Sequence, residues 1–187
     1  TLLFLPADHI INNEQKFVQT INAAIKYSSE GRLVTFGVNP TRPETGFGYI
    51  EADKVFEKDK IEGYEIKKFI EKPNLEKAKE LIKDRRYFWN SGIFLFRADF
   101  ILNEIEKIYP EMISYCKKSI ENNILDLDFQ RLEKKSFAAC KNISIDEAIM
   151  EKPNLGTVLP LDAGWSDVGN WESLWENETK DLNGNVF

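Results

Sequence analysis

The sequence predicts a mixed α/β domain whose sheet is predominantly parallel and flanked by helices. Residues 1–5 form an apolar run, residues 14–28 place apolar side chains at helical spacing, and residues 32–38 form a second strand-like run. A strand, a helix and a strand in this order make up a βαβ unit. Such a unit predicts two parallel strands joined by a right-handed crossover.

The first strand and the first helix are defined by their apolar side chains. The run at residues 1–5 ends at Pro6, and its continuous apolar character predicts a strand that is buried on both faces. The helix has an apolar face made of Phe17, Ile21, Ala24 and Ile25. Because the sequence begins on an expected core strand, we expect the natural domain to start earlier.

The remaining elements alternate along the chain. Strands are predicted at residues 49–52, 64–71, 89–97 and 157–161, and helices at residues 75–84, 143–150 and 171–175. The stretch 99–135 is helical in composition, with expected breaks at Pro110 and at residues 122–123. Residues 54–63 read as an exposed turn. The strand at 89–97 is expected to be central, because its second half contains almost no polar side chain.

Composition and charge exclude several classes of function. The chain has 187 residues and a formal net charge of -6, which argues against nucleic acid as a partner because a phosphate-tracking surface is normally basic. No apolar run approaches the ~18 residues of a membrane span, and no basic segment precedes an apolar one as in a secretory signal. Cys116 and Cys140 have no metal-binding spacing, which favours a cytoplasmic protein with reduced thiols, and the single His9 excludes a multi-histidine zinc site.

Two carboxylates are candidates for metal ligands. Asp8 follows the first apolar strand, and ligands of open α/β sheets bind beyond the carboxyl ends of strands. A carboxylate there can ligate Mg²⁺, or it can cap the following turn. Asp167 is the only charge in the loop from Gly164 to Gly169, which two tryptophans anchor. It is a candidate for a second metal ligand or for a helix N-cap.

Gly48 and Asn90 are candidates for contact with a substrate. Gly46 and Gly48 enclose an aromatic residue at the start of a strand, which permits close approach of a ligand to the backbone but also fits a hairpin or a bulge. Asn90 interrupts an apolar strand next to Gly92, so its partly buried amide needs partners. Those partners are either protein backbone or the hydroxyl groups of a substrate.

Glu71 and Lys72 end a strand with a carboxylate beside an ammonium group. Neighbours on an extended chain point to opposite faces, so we expect these two side chains to pair poorly with each other. If the strand bends at Pro73, they can instead meet a ligand that carries both a hydroxyl and a phosphate. The alternative is two surface charges before a turn.

The order of these motifs resembles the mannose-1-phosphate guanylyltransferase family, a branch of the sugar-nucleotide pyrophosphorylases. The motifs are LPADH at residues 5–9, TGFGYI at 45–50, FIEKP at 69–73, WNSGIF at 89–94, SIDEAIMEK at 144–152 and GWSDVG at 164–169. The likeness covers essentially the whole chain. It is strongest to the bacterial branch, which is often fused to a mannose-6-phosphate isomerase domain, and the last two motifs are the most specific to that branch.

The resemblance implies a fold, an activity and a metal. The fold is a Rossmann-like, glycosyltransferase-A-like nucleotidyltransferase domain. The activity is transfer of GMP from GTP to mannose 1-phosphate, which gives GDP-mannose and pyrophosphate for polysaccharide biosynthesis. Asp8 and Asp167 would hold the Mg²⁺ that bridges the nucleotide and sugar phosphates. The family also suggests a homodimer.

The resemblance also implies residues for the sugar phosphate. Lys72 would contact the phosphate as a catalytic residue beside Asp8 and Asp167. The groups that would contact the sugar itself are the side chains of Glu71 and Asn90 and the backbone of Gly48.

One large departure separates the sequence from the family pattern. The family begins with a strand and a Gly-rich loop, bearing an Arg and further on a Lys, that cradle the triphosphate, and the 187 residues contain no such segment. We therefore expect residues 1–187 to be the C-terminal two thirds of a single catalytic domain, inactive or nearly so alone. Two alternatives stay open: a pyrophosphorylase for another sugar 1-phosphate or nucleotide, and a non-catalytic sugar-phosphate-binding subunit.

Overall fold

The strands of this computed structural model, which describes residues 1–150, 156–169 and 171–186, form one large sheet and two ribbons. The large sheet contains β1 (Leu2–Phe4), β3 (Leu33–Val38), β4 (Tyr49–Ala52), β5 (Tyr64–Ile70), β6 (Tyr87–Phe96) and β9 (Gly156–Pro160). The ribbons pair β2 (Ile10–Ile11) with β10 (Trp165–Ser166), and β7 (Ile124–Asp126) with β8 (Phe129–Arg131). The order across the large sheet is β1-β6-β3-β9-β5-β4.

Several helices begin where the sequence supplies a side-chain cap or a proline. They are α1 (Glu14–Ser29), α2 (Leu75–Leu81), α3 (Ala98–Ile108), α4 (Pro110–Glu121), α5 (Lys134–Ala138), α6 (Trp171–Asn177) and a π-helical segment (Asp146–Met150). The side chains of Asn13 and Asn74 accept backbone N–H groups in the first turns of α1 and α2, at 3.0 and 2.9 Å. In the part of the chain that the structure describes, no helix is both long and apolar enough to cross a membrane.

The core has two layers, one on each face of the sheet. Successive residues of a strand point to opposite faces. Accordingly, Ile93 and Leu95 of β6 pack in the layer that includes α1, whereas Phe94 and Phe96 pack with α3 and the π-helical segment. Both faces of the strand are therefore buried, which explains its continuous apolar run. Full burial of such side chains stabilises the fold by about 1.5–3 kcal/mol each.

Strand β6 is the central strand, as predicted, and it closes the sheet into a ring. It pairs with β3 along one edge, and with β1 and β4 along the other. Strand β5 pairs with β9 at its start and with β4 over the rest of its length. The pairings therefore return from β6 through β3, β9, β5 and β4 to β6.

The prediction of a predominantly parallel sheet is wrong, although the mixed α/β class is confirmed. Only β3 and β9 pair in parallel among the described strands, and the other pairings of the large sheet are antiparallel. Strands β1 and β3 run in the same direction, as the predicted βαβ unit requires, but β6 lies between them. An apolar run reports burial on two faces and not the direction of the neighbouring strand, so the sequence pattern could not detect the inserted strand.

The prediction that residues 1–5 form a strand buried on both faces is also wrong. Strand β1 lies at the end of the strand order and pairs with β6 alone among the described strands. Its apolar side chains are 37% to 52% exposed, although the ring of Phe4 stacks on that of Phe96 with a centroid distance of 5.2 Å. The run is apolar, but the described residues cover it only in part.

Residues 124–131 form a hairpin instead of the predicted helix. The expected breaks are present, since α3 ends before Pro110 and α4 ends at Glu121. Beyond them, β7 and β8 are joined by a tight turn in which Leu127 has a positive φ of 52°. The carboxylate of Asp126 pairs with Arg131 across the ribbon. Helical composition was misleading here because cross-strand pairs, and not local propensity, stabilise the hairpin.

Candidate active site

The ribbon of β2 and β10 brings the two predicted metal ligands to one histidine. Its register is antiparallel and pairs Trp165 with Ile11 and Ser166 with Ile10, so continuing it by one residue places His9 opposite Asp167. The charges of Asp8 and Asp167 both act to raise the pKa of His9, so both carboxylates lie within electrostatic reach of the imidazole. The fold therefore joins two acidic residues from opposite ends of the chain.

Burial and a hydrogen bond to Nδ1 both favour the neutral form of the His9 imidazole. Burial lowers its pKa below the ordinary value, and the charges of Asp8 and Asp167 oppose that effect. Its Nδ1 accepts the indole N–H of Trp165 at 3.0 Å, and the two rings meet edge to face with centroids 5.3 Å apart. A ring nitrogen that accepts a hydrogen bond carries no proton, so Nε2 is the protonated nitrogen in this arrangement.

A second group forms where β4, β5 and β6 meet. Gly48 is buried, and its carbonyl accepts the backbone N–H of Asn90 at 2.8 Å. A Cβ added to Gly48 would lie 2.8 Å from Oε2 of Glu71. The absence of a side chain at Gly48 therefore lets the Glu71 carboxylate lie against the backbone, and the three predicted sugar-binding residues come together.

The expectation that Glu71 and Lys72 pair poorly is wrong. The Lys72 Nζ lies 2.9 Å from Oε1 of Glu71, and the hydrogen bond and charge of that carboxylate raise the pKa of Lys72. The strand β5 ends at Ile70, and Lys72 has a positive φ of 42°. The alternation of an extended strand no longer holds at these positions, so both side chains turn to the same side. The Lys72 side chain is still 64% exposed, so its ammonium group can reach a ligand while it contacts Glu71.

Asn90 has protein partners on both ends of its amide. Its Oδ1 lies 2.9 Å from the hydroxyl of buried Thr35, and its Nδ2 donates to Oδ1 of Asp146 at 2.8 Å. The sequence left two kinds of partner open for the Asn90 amide, protein backbone and substrate hydroxyls. In the structure its protein partners are two side chains, those of Thr35 and Asp146. Asp146 is a site residue that the sequence reasoning missed, although it lies in one of the quoted motifs. The available signal was a carboxylate at the start of a buried apolar run, which needs a partner.

Asp146 also senses the charges of the second group. Burial raises its pKa above the ordinary value, and the negative charge of Glu71 raises it further. The hydrogen bond from Asn90 and the positive charge of Lys72 act in the opposite direction. Glu71, Lys72, Asn90 and Asp146 therefore form one electrostatically connected cluster.

Strand β6 connects this cluster to the His9 ribbon. Gly92 has a positive φ of 69°, and a Cβ there would lie 3.6 Å from Pro6 and 4.0 Å from the His9 ring. The β3–β6 register shifts between Thr35 and Gly37, opposite this part of β6, so the pairing is irregular there. Phe47 also contacts the rings of both Trp89 and Trp165, with centroids 5.2 and 5.5 Å away. The acidic pair and the sugar-binding candidates are thus connected through β6 and the ring contacts of Phe47.

The donor set at Asp8 and Asp167 suits a magnesium ion shared with a substrate. No group of three or more His, Cys, Asp or Glu side chains within residues 1–150, 156–169 and 171–186 is placed to hold a metal alone. Mg²⁺ is commonly held by one or two carboxylates together with substrate phosphates. Two carboxylates without a third protein ligand fit that pattern.

The structure also contains a cavity of about 820 Å³ away from these residues. It lies between α1, the loop after β4 and the start of β6, and none of the predicted site residues lines it. Its lining mixes acids, lysines and apolar side chains without a convergent set. Hydrogen-bonded polar groups and perturbed pKa values favour the surface around β6 as the active site instead.

Comparison with known proteins identifies the family. The family model described as nucleotidyl transferase matches residues 1–184. Mannose-1-phosphate guanylyltransferase of Salmonella montevideo is 50% identical over 188 residues, which is 99% of this chain and 40% of that protein. The protein of the same name from Escherichia coli is 44% identical over 187 residues, which is 100% of this chain and 40% of its own length.

A solved structure has the same fold. The crystal structure of mannose-6-phosphate isomerase from Helicobacter pylori matches with a TM-score of 0.77 and 36% sequence identity, over 88% of this chain and 64% of that chain. The chain spans about two fifths of the length of the two curated relatives. Because the family model covers nearly all of the sequence, the chain belongs to the nucleotidyl transferase family.

Proposed function

We propose that this chain carries the sugar-phosphate half of a mannose-1-phosphate guanylyltransferase. The reaction transfers GMP from GTP to mannose 1-phosphate and gives GDP-mannose and pyrophosphate. The observation that supports the proposal is the cluster at β6, where groups able to bond hydroxyls and one ammonium group meet near two carboxylates that could hold a metal. The names of the relatives at 50% and 44% identity support the same substrates.

The cluster assigns each part of mannose 1-phosphate to a chemical group. The Lys72 ammonium group would bind the phosphate, while Glu71 and Asn90 would bond the sugar hydroxyls. Gly48 would present its backbone to the sugar, beside the Glu71 carboxylate for which its missing side chain leaves room. These residues orient one phosphate oxygen of mannose 1-phosphate for attack on the α-phosphorus of GTP, with pyrophosphate leaving. Positioning is the main contribution of proteins to phosphoryl transfer, so no covalent intermediate is needed.

Asp8 and Asp167 would hold Mg²⁺ in this enzyme. The bound ion would neutralise charge shared between the nucleotide and sugar phosphates. The ribbon of β2 and β10 keeps the two acids near His9, whose Nδ1 accepts a hydrogen bond from Trp165. Trp165, which bonds His9, fixes the histidine and with it the turn that carries Asp8.

Three expectations about the whole protein belong to this proposal. Residues 1–187 would form the C-terminal two thirds of one catalytic domain, which the full gene sequence tests. A mannose-6-phosphate isomerase domain would be fused to it, and the name of the Helicobacter pylori relative supports this. The protein would act as a cytoplasmic homodimer, which fractionation of cells and light scattering of the full-length protein test.

The function is tested in the full-length protein by varying both substrates. Formation of GDP-mannose from GTP and mannose 1-phosphate should exceed product formation from other nucleotides and other sugar 1-phosphates. Asp8→Asn and Asp167→Asn should each abolish turnover, and near wild-type rates would remove that residue from the metal site. Preference for another pair of substrates would contradict the assignment. Binding of sugar phosphate without any turnover would indicate a non-catalytic subunit.

Glu71→Gln separates the sugar site from the nucleotide site. The neutral amide keeps the shape of the side chain but weakens its acceptance of hydroxyl hydrogen bonds. The KM for mannose 1-phosphate should therefore rise far more than the KM for GTP. An equal effect on both values would exclude Glu71 from sugar binding.

A further inference from the structure

We propose that Asp146 is a positioning residue, which fixes the orientation of the Asn90 side-chain amide toward the sugar hydroxyls. The inference rests on the proposed function, because it assumes that Asn90 contacts the sugar. Its basis is the contact of 2.8 Å from Asn90 Nδ2 to Asp146 Oδ1, on the side of the amide opposite Thr35.

Thr35 alone cannot determine which end of the amide faces it. Its hydroxyl has a single hydrogen, and two acceptors lie within reach: Oδ1 of Asn90 at 2.9 Å and the carbonyl of Ile93 at 3.0 Å. If the hydroxyl donates to Ile93, its oxygen can accept from Nδ2 of a flipped amide equally well. Both orientations of Asn90 are therefore compatible with Thr35.

Asp146 removes that ambiguity because a carboxylate only accepts hydrogen bonds. It requires the Nδ2 end of the amide, so Oδ1 must face Thr35. One N–H of Nδ2 and one lone pair of Oδ1 remain for a ligand. A sugar that presents one acceptor and one donor at fixed positions is then recognised by a single amide orientation.

The π-helical segment gives Asp146 a rigid support. The last three residues of this segment are buried: Ala148 is 6% exposed, Ile149 1% and Met150 4%. They pack in the core with Phe94 and Val158. Short π-helical turns are often found at functional sites. A carboxylate anchored by three buried neighbours holds its position better than one on a free loop.

The surroundings of Asp146 do not stabilise its negative charge. Burial and the nearby charge of Glu71 both raise its pKa, so the ionised form is disfavoured in the folded protein. A neutral amide of the same shape would be easier to bury at this position.

The test is Asp146→Asn in the full-length protein, with Glu147→Gln as the matched control. Glu147 is an exposed acid on the same segment, so its variant removes one charge without touching Asn90. Asp146→Asn should raise the KM for mannose 1-phosphate roughly three- to tenfold, because a neutral partner bonds more weakly and accepts either end of the amide. The KM for GTP should stay unchanged, and the melting temperature should not fall. A lower melting temperature together with an equal rise in the KM values for both substrates would show a merely structural role and overturn the proposal.

A double-mutant cycle tests the route through Asn90. In an Asn90→Ala background, Asp146→Asn should change the KM for mannose 1-phosphate less than about twofold, since coupled residues are not additive. If Asp146→Asn raises the KM for mannose 1-phosphate by the same factor in the wild-type and the Asn90→Ala backgrounds, the proposal is contradicted. If the unmodified protein turns over other substrates only, the proposed function fails instead. The ¹⁵N side-chain resonance of Asn90 then decides independently of turnover: it should shift in Asp146→Asn and not in Glu147→Gln, and an unchanged resonance would refute the contact.

Discussion

A single methyl group at Gly48 should displace Glu71 from the proposed sugar site. A Cβ at this position would lie 2.8 Å from both Oε2 of Glu71 and Cζ of Phe69. The Phe69 ring is only 7% exposed and cannot yield without disturbing the core, whereas the Glu71 side chain is 34% exposed and can rotate toward solvent. Gly48→Ala therefore changes both the packing at Phe69 and the position of the carboxylate.

The size of the effect follows from these two contacts. Overpacking against a buried ring costs about 1–3 kcal/mol of unfolding free energy. Loss of a hydrogen bond to a charged group costs about 1.5–3 kcal/mol, and each ~1.36 kcal/mol corresponds to a tenfold change in rate. We therefore expect kcat/KM for mannose 1-phosphate to fall roughly 10- to 150-fold.

Gly46→Ala is the matched control, because it lies two residues away in the same loop. A Cβ there would meet no atom within 4 Å, and neither glycine has a positive φ. Steady-state kinetics with both substrates and chemical denaturation should show a change only in Gly48→Ala, with the KM for GTP preserved. If the two variants behave alike in both assays, the reasoning about Glu71 and Phe69 is refuted.

Three further predictions concern the core, the thiols and the pH dependence of stability. Ile149→Ala, at a side chain 1% exposed, should lower the unfolding free energy by about 2–5 kcal/mol in urea titrations, and a loss below about 1 kcal/mol would contradict its core position. Cys116 and Cys140 have sulfur atoms 3.8 Å apart, so glutathione disulfide should oxidise them to an intramolecular disulfide; the intact mass should fall by two hydrogens in the wild type and not in Cys140→Ser. The folded pKa of Asp146 is raised above 3.8, so its contribution to stability is complete below that value and is lost as the pH rises through the folded pKa. Asp146→Asn should therefore be at least as stable as the wild type at neutral pH, with its advantage shrinking on acidification, and the opposite trend would contradict the direction of the shift.

Local signals in the sequence were sufficient for most elements. Helix α1 was predicted from the spacing of its apolar residues, and strand β4 from its apolar character between turns. The break at Pro110 followed from the missing N–H of proline. Each of these features depends on neighbours within a few residues, so one sequence contains the information.

Contacts between distant segments were the part that the sequence could not supply. The insertion of β6 between β1 and β3 depends on a pairing of strands far apart in the chain, and no local pattern distinguishes it from a parallel neighbour. The ribbon of β2 and β10 has only two residues in each strand, too few for a periodic signal. Yet this ribbon is what brings Asp8 and Asp167 to His9.

The site residues also divide into those that local motifs identified and those that depend on the folded structure. The identities of Gly48, Glu71, Lys72 and Asn90 came from motif order, and the fold brings them together. The pairing of Glu71 with Lys72 was missed because it depends on the positive φ at Lys72, which is unusual for a lysine. Asp146 was missed because its segment resembles an ordinary helix, and only the folded structure places its carboxylate against Asn90.

The most direct test of the central claim is formation of GDP-mannose by the full-length protein supplied with GTP, mannose 1-phosphate and Mg²⁺. Product analysis by chromatography, with release of pyrophosphate followed in parallel, measures the transfer itself. The account predicts equal amounts of GDP-mannose and pyrophosphate in the wild type and neither product in Asp167→Asn. Absence of GDP-mannose from a folded wild-type protein that uses a different sugar 1-phosphate, or full activity of Asp167→Asn, would contradict it.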